Sequence, residues 1–327
     1  MSRKRRLRIA AVAGLALAVL AGAAAALLPG VWSRARFVEY PMAQSEHMPV
    51  AVAAAADGTV WFTMDGAAAI GRVRDGRVER LPKPGKSIEP LGLAAAPDGS
   101  VWYTDMARSM VSRMTPSGAV SSVPIDTPIV RLGRLAVAPD GAAWFAEATS
   151  YSISRVKDGE LTRYPFASVF GGPYGVAVAA DGAVWATLQA GNQLLRITPD
   201  GSLETFNLPR PGAVPTDVAV APDGAVWFVE FRGNSIGRFK DGRFVSFAIA
   251  NENAGLSGIA VADDGAVWFG MLRASSLGRL RNEELRTYKL PRDDARPYSL
   301  AVDRDGNVWY ADIHGYVGML PADYARE

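Results

Sequence analysis

The sequence predicts a closed all-β ring, a seven-bladed β-propeller of four-stranded blades. Three observations carry this. Tryptophans recur at Trp61, Trp102, Trp144, Trp185, Trp227, Trp268 and Trp309, in steps of 41 or 42 residues. Each is preceded by an Asp-Gly pair, from Asp57-Gly58 to Asp305-Gly306, and Asp-Gly between apolar runs marks a tight hairpin because glycine accepts the positive φ such a turn needs. Each unit also holds four short apolar runs, and four strands in some forty residues is the content of a propeller blade.

Taken from the N-terminus, the first element is not part of the ring. Arg3, Lys4, Arg5, Arg6 and Arg8 precede Ile9 to Leu28, twenty residues without a charged or polar group. A basic flank followed by such a run is a targeting signature. It is long enough to span a bilayer as a helix, with the basic end on the cytoplasmic side. Small residues at Ala21, Ala23, Ala24 and Ala26 offer cleavage sites, so a removed signal peptide and a retained anchor both stay open. Arg5-Arg6 lacks the usual continuation of a twin-arginine signal. Residues 1–33 are therefore assigned to a signal peptide or signal anchor with a short linker, and 34–327 to the propeller. The propeller is expected outside the cytoplasm, tethered to the membrane or released, with Trp32 at the interface if the anchor is kept.

The repeating unit is clearest around Trp227: an inner run Val218-Ala219-Val220, the Asp223-Gly224 turn, Val226-Trp227-Phe228, then Ile236-Gly237-Arg238-Phe239, then Arg243 to Phe247. Alanine stands eight residues before every repeat tryptophan, at Ala53, Ala94, Ala136, Ala177, Ala219, Ala260 and Ala301. Only a small side chain fits where inner strands crowd near an axis. Arginine follows eleven residues after six of the tryptophans, at Arg72, Arg113, Arg155, Arg196, Arg238 and Arg279. A feature repeated in blade after blade serves the blade, so these are expected to pack or form ion pairs. The tryptophans are expected to be core between blades. After Trp309 a third run, Tyr316 to Met319, has no fourth to follow it, whereas Arg36-Phe37-Val38-Glu39-Tyr40-Pro41 copies the outer-strand pattern of Glu160 to Pro165. The N-terminal strand is predicted to complete the last blade and remove the open edge.

Composition narrows function. With no cysteine there is no disulfide framework, thiolate zinc site, cysteine nucleophile or lipidated cysteine. The net charge of +2 comes from the basic tail: without its five charges the remainder carries 30 Lys and Arg against 33 Asp and Glu. A mildly acidic ring is a poor match to nucleic acid. No His-Glu-x-x-His or dinucleotide fingerprint is present.

The unit Asp-Gly-x-Val-Trp-Phe followed by Ile-Gly-Arg resembles the repeat of the virginiamycin B (streptogramin B) lyase family. Val60-Trp61-Phe62-Thr63, Trp144-Phe145-Ala146-Glu147 and Asn234-Ser235-Ile236-Gly237-Arg238 carry the likeness, which extends from about Arg36 to Leu320. The resemblance implies a metal-dependent elimination that linearises a cyclic depsipeptide, with histidines in Pro-His-Gly at the start of inner strands and a carboxylate after a tryptophan strand. Here the Pro-His-Gly histidine position holds Val50, Leu91, Gly133, Tyr174, Thr216, Ser257 and Tyr298. Glu89-Pro90 keeps the residues before it, and Asp65 keeps a carboxylate after its strand.

Strand direction places residues before the inner strand and after the tryptophan strand at one end of the ring. Both histidines fall there. His314, His47 and Glu89 are the candidate catalytic groups, and Asp65, Asp312 and Asp105 the candidate ligands of magnesium or another divalent cation. Glu46, Glu147 and Glu230 share that end, and Arg131, Arg134, Asp217 and Arg296 add charge at the channel mouth. The plainer alternative makes the histidines solvated loop residues and the carboxylates strand caps or partners of arginines. Because the family's histidines are absent, the expected function is a binding propeller that takes a small molecule, glycan or protein at the channel mouth. The alternative is a magnesium-dependent streptogramin-lyase-like lyase or hydrolase with a rearranged site.

Overall fold

The computed structural model describes residues 37–43, 47–127, 131–166 and 172–326. Seven antiparallel four-stranded sheets surround a central axis. Blade 1 is β2 (Met48–Ala54), β3 (Val60–Asp65), β4 (Ala69–Arg74) and β5 (Arg77–Pro82); blade 2 is β6 (Leu93–Ala95), β7 (Val101–Asp105), β8 (Met110–Met114) and β9 (Val120–Pro124). Blade 3 is β10 (Leu132–Val137), β11 (Ala143–Glu147), β12 (Ser152–Lys157) and β13 (Glu160–Pro165); blade 4 is β14 (Pro173–Val178), β15 (Val184–Leu188), β16 (Gln193–Ile197) and β17 (Leu203–Asn207). Blade 5 is β18 (Pro215–Val220), β19 (Val226–Glu230), β20 (Ser235–Lys240) and β21 (Arg243–Ala248); blade 6 is β22 (Leu256–Val261), β23 (Val267–Met271), β24 (Ser276–Arg281) and β25 (Glu284–Lys289). Blade 7 is β26 (Pro297–Val302), β27 (Val308–Asp312) and β28 (Tyr316–Leu320), with β1 (Val38–Pro41) on its outer edge and a one-turn helix α1 (Ala322–Ala325) beyond it.

Closure follows the predicted route. β1 pairs antiparallel with β28, Val38 opposite Met319 and Pro41 opposite Tyr316, and Tyr40 stacks on Trp309 as Tyr164 lies against Trp144 in blade 3. The inner strands of blades 7 and 1 touch as do those of every other neighbouring pair, so the ring has no free inner edge. The targeting segment and Trp32 lie outside the described residues, as do Glu46 and Gly171. Among the described residues no helix is long and apolar enough to cross a membrane.

The core sits between blades. All seven repeat tryptophans are buried, and the seven apolar clusters each join two adjacent blades; Trp144 of blade 3, for example, packs with Val176, Val184 and Ala186 of blade 4. The alanine column has a second cause besides crowding at the axis. Each alanine is the direct cross-strand partner of its tryptophan, Ala53 of Trp61 through Ala301 of Trp309, so a small residue makes room for the indole beside it. The glycine of Ile-Gly-Arg has an equally local cause: a Cβ on Gly71, Gly237 or Gly278 would collide with the ring of Phe62, Phe228 or Phe269.

The arginine column is structural. Its six guanidinium groups lie 5.5–6.0 Å from the centres of their tryptophan rings, and several also reach carboxylates, as Arg155 does Asp140 at 3.0 Å. The turn aspartates cap their own hairpins, Asp57 accepting from the Thr59 N–H at 2.9 Å. Blade 7 departs from this. Asp303 rather than Asp305 makes the turn bonds, and it also accepts the Trp309 indole N–H at 2.8 Å.

Candidate functional site

At the start of six inner strands the pairing with the second strand slips, between Pro49 and Val52, Leu132 and Leu135, Pro173 and Val176, Pro215 and Val218, Leu256 and Ile259, and Pro297 and Ser299. Proline at four of these starts has no N–H to give the ladder, and a bulge turns the next side chains out of the sheet. Threonines on the second strand take up the freed groups. Thr63 accepts from the Ala51 N–H and donates to the Pro90 carbonyl of the next blade; Thr187 accepts from Gly175 and donates to the Thr216 carbonyl. The bulged residues Arg134, Tyr174, Thr216, Asp217, Ser257 and Tyr298, from blades 3 to 7, face a common cavity of about 490 Å³ at the axis.

Its floor is a polar cross-tie. Arg134, 8% exposed, donates to the carbonyls of Leu91 in blade 2 and Tyr298 in blade 7 at 3.3 and 3.4 Å. It faces Asp217 of blade 5 at 3.7 Å and lies 5.3 Å from the Tyr298 ring centre. Asp217 accepts the Val218 and Ile259 N–H groups, and the hydroxyls of Tyr174 and Tyr298 are 2.9 Å apart. Burial works against the Arg134 charge, but Asp217, Tyr174 and Tyr298 outweigh it and its pKa is raised. Burial pushes the Tyr174 phenol well up, with Arg134 only partly opposing. Both groups therefore stay protonated. Gln189, Val214, Phe231, Arg232, Leu256 and Leu272 form the walls and rim, and Phe231 is 40% exposed.

The residues singled out from the sequence share this end of the ring without converging. Neither histidine lines the cavity. His314 is exposed, with Nδ1 3.8 Å from Asp294, and His47 Nδ1 is buried without a partner; no bond joins the two among the described residues. Glu89 is exposed and in the left-handed region at φ 43°, its N–H donating to Asp65. The three carboxylates expected to share a cation are engaged separately. Asp65 caps the Gly66 and Glu89 N–H groups. Asp105 is buried against Lys83 at 3.2 Å. Asp312 is bound by Arg292 and by the N–H groups of Arg296 and His314. Among the described residues no three His, Asp or Glu side chains form a group able to hold a metal. Asp105 and Asp312, already neutralised by lysine and arginine, are poor cation ligands, and Asp65, held by backbone N–H groups, stands apart from both, so these three do not fit a shared divalent ion as placed. Glu147 and Glu230 are likewise satisfied within their blades, by Ser150, Ser154 and Arg163 and by Ser235 and Ser246.

Of the channel-mouth charges read from the sequence, Arg134 and Asp217 line the cavity, while Arg296 bonds Ser275 and its own blade. Tyr174, Thr216, Ser257 and Tyr298 were visible as occupants of the histidine position; their irregularity within a regular repeat is the signal that they serve the axis. Gln189, Phe231, Arg232 and Leu272 follow second strands and carried no such mark.

Comparison with known proteins agrees with this architecture. The model of the virginiamycin B lyase family matches residues 29–157 and 85–323. A virginiamycin B lyase of Nocardia farcinica is 36% identical over 168 residues, 50% of this chain and 57% of that protein; the chain thus spans little more than half the length of that relative. A catalytically inactive virginiamycin B lyase of Staphylococcus aureus, with a histidine replaced by alanine and in complex with quinupristin, superposes with a TM-score of 0.82 at 27% identity, covering 86% of this chain and 98% of that one. A streptogramin B lyase structure gives a TM-score of 0.82 at 26% identity over 86% and 96%. Matched along most of its length and built as the same ring, the chain belongs to the virginiamycin B lyase family.

Proposed function

We propose that this member of the family is a binding propeller, holding a small amphipathic molecule in the axial cavity without opening a ring. The observation that carries this is the make-up of the cavity. Elimination needs a base whose pKa lies near the working pH, and the lining contains no histidine. Arg134 and Tyr174 are held protonated, and the one carboxylate, Asp217, is occupied by two N–H groups and Arg134. The S. aureus relative is inactive once a histidine is lost. A largely apolar cavity with a few fixed polar groups suits capture.

The test is to incubate the protein with quinupristin, follow its ring by mass spectrometry, and screen small amphipathic compounds by thermal shift in parallel. Quinupristin is expected to stay cyclic, and stabilising compounds are expected to lose their effect on a Leu272→Trp variant, which fills the cavity. Enzyme-dependent linearisation would overturn the reading. The proposal also places the propeller outside the cytoplasm, directed by the basic and apolar segment before Trp32. Alkaline phosphatase fused after residue 33 should be active in a bacterial host; an inactive fusion would refute that placement.

A further inference from the structure

We infer that the molecule this cavity takes is a monoanion: a carboxylate carried on an apolar body. The inference rests on the axial cavity being the binding site. It comes from the charge and the apolar wall of the lining.

Arg134 is buried, yet its Nε has no hydrogen-bond partner. Its carboxylate neighbour stands at 3.7 Å, beyond hydrogen-bond length. Thr216 Oγ1 is also buried without a partner. At the rim, the Arg232 side chain forms no ion pair or hydrogen bond among the described residues. Buried donors without acceptors are uncommon in folded proteins and cost stability; both belong to residues that line the cavity, where Arg232 supplies the exposed charge. The lining carries two arginines against one aspartate, a surplus of one positive charge.

The rest of the cavity sets the remainder of the ligand. Val214, Leu256, Leu272 and the half-exposed Phe231 give an apolar wall, so a bare inorganic anion would leave most of the space unused. Asp217 disfavours a second negative charge, which argues for a carboxylate over a phosphate dianion. The guanidinium fork matches a carboxylate's two oxygens.

Calorimetry with N-acetyl-L-phenylalanine and its neutral amide, N-acetyl-L-phenylalaninamide, tests this on the whole propeller. The acid is expected to bind at least about tenfold more tightly than the amide, the range of a charge-assisted contact. Arg232→Gln, at an exposed position, should bring the acid down to the amide and leave the amide unchanged. Equal binding of the two, both abolished by Leu272→Trp, would overturn the monoanion while leaving the cavity as the site. Binding of neither, or binding that Leu272→Trp does not alter, would overturn both.

Discussion

Two arginines in this ring are held in opposite ways. Arg292, at the closing blade, bonds Glu39 of β1 through two nitrogens at 3.2 and 3.3 Å, Asp294 at 3.2 Å, and Asp312. Its guanidinium lies 3.5 Å from the Tyr316 ring centre, and the Tyr310 hydroxyl donates to the same Glu39 at 2.8 Å. Arg134, at the axis, has two carbonyls, one distant carboxylate and an Nε with nothing. Both keep a raised pKa against the cost of burial. The first is saturated and ties the first strand to the last. The second is undersupplied, its Nε buried and unpaired beside the axial cavity, and that shortfall is what separates the two charges.

The largest expected effect comes from breaking the saturated site. Arg292→Met leaves Glu39 and the fully buried Asp312 without their counter-charge, and removing one partner of a buried pair costs about 3–5 kcal/mol. Urea denaturation should read a loss near the lower end, since Arg292 is partly exposed; a loss under about 1 kcal/mol would mean that the β1–β28 ladder alone closes the ring. Arg134→Met should cost less, about 1–2 kcal/mol, because only Asp217 loses a charged partner and its two backbone donors remain. A larger loss than that of Arg292→Met would reverse the contrast.

The smallest effect belongs to the exposed pair that completes the series. Asp140 is held down to about 2, chiefly by the Lys157 hydrogen bond and further by the Ala142 N–H and Arg155. A carboxyl with a folded pKa below its unfolded value of about 3.9 adds stability above that value and loses it as pH falls through about 2. The difference in urea midpoint between wild type and Asp140→Asn should therefore be small at pH 6, shrink on acidification and vanish below about pH 2. A difference that grows on acidification would contradict the assignment.

How far the sequence could be read depends on periodicity. Trp61 and its six counterparts, the Asp-Gly turns and the copied outer-strand pattern at Glu39-Tyr40-Pro41 were legible because every copy meets the same neighbours. The candidate site was legible only in outline. His47, His314, Asp65, Asp105 and Asp312 were grouped by their shared end, but whether carboxylates converge on a cation depends on whether Lys83 or Arg292 reaches them first, and those partners are set by tertiary contacts that no motif encodes. Arg134 and Asp217 were visible as charges at the mouth. That they meet across the axis, from blades 3 and 5, follows from bulges in two separate strands.

The pairing of β1 with β28 also sets an order of events during synthesis. Val38 leaves the ribosome long before its partner Met319 exists, and at about 5–20 residues per second the wait is on the order of tens of seconds. Throughout that interval the outer edge strand and Glu39 have no destination, while the cluster shared by blades 7 and 1 lacks its blade 7 members, Trp309, Ala311 and Val317 among them. A nascent chain of this kind must keep its leading strand from pairing with the wrong partner until translation is nearly complete.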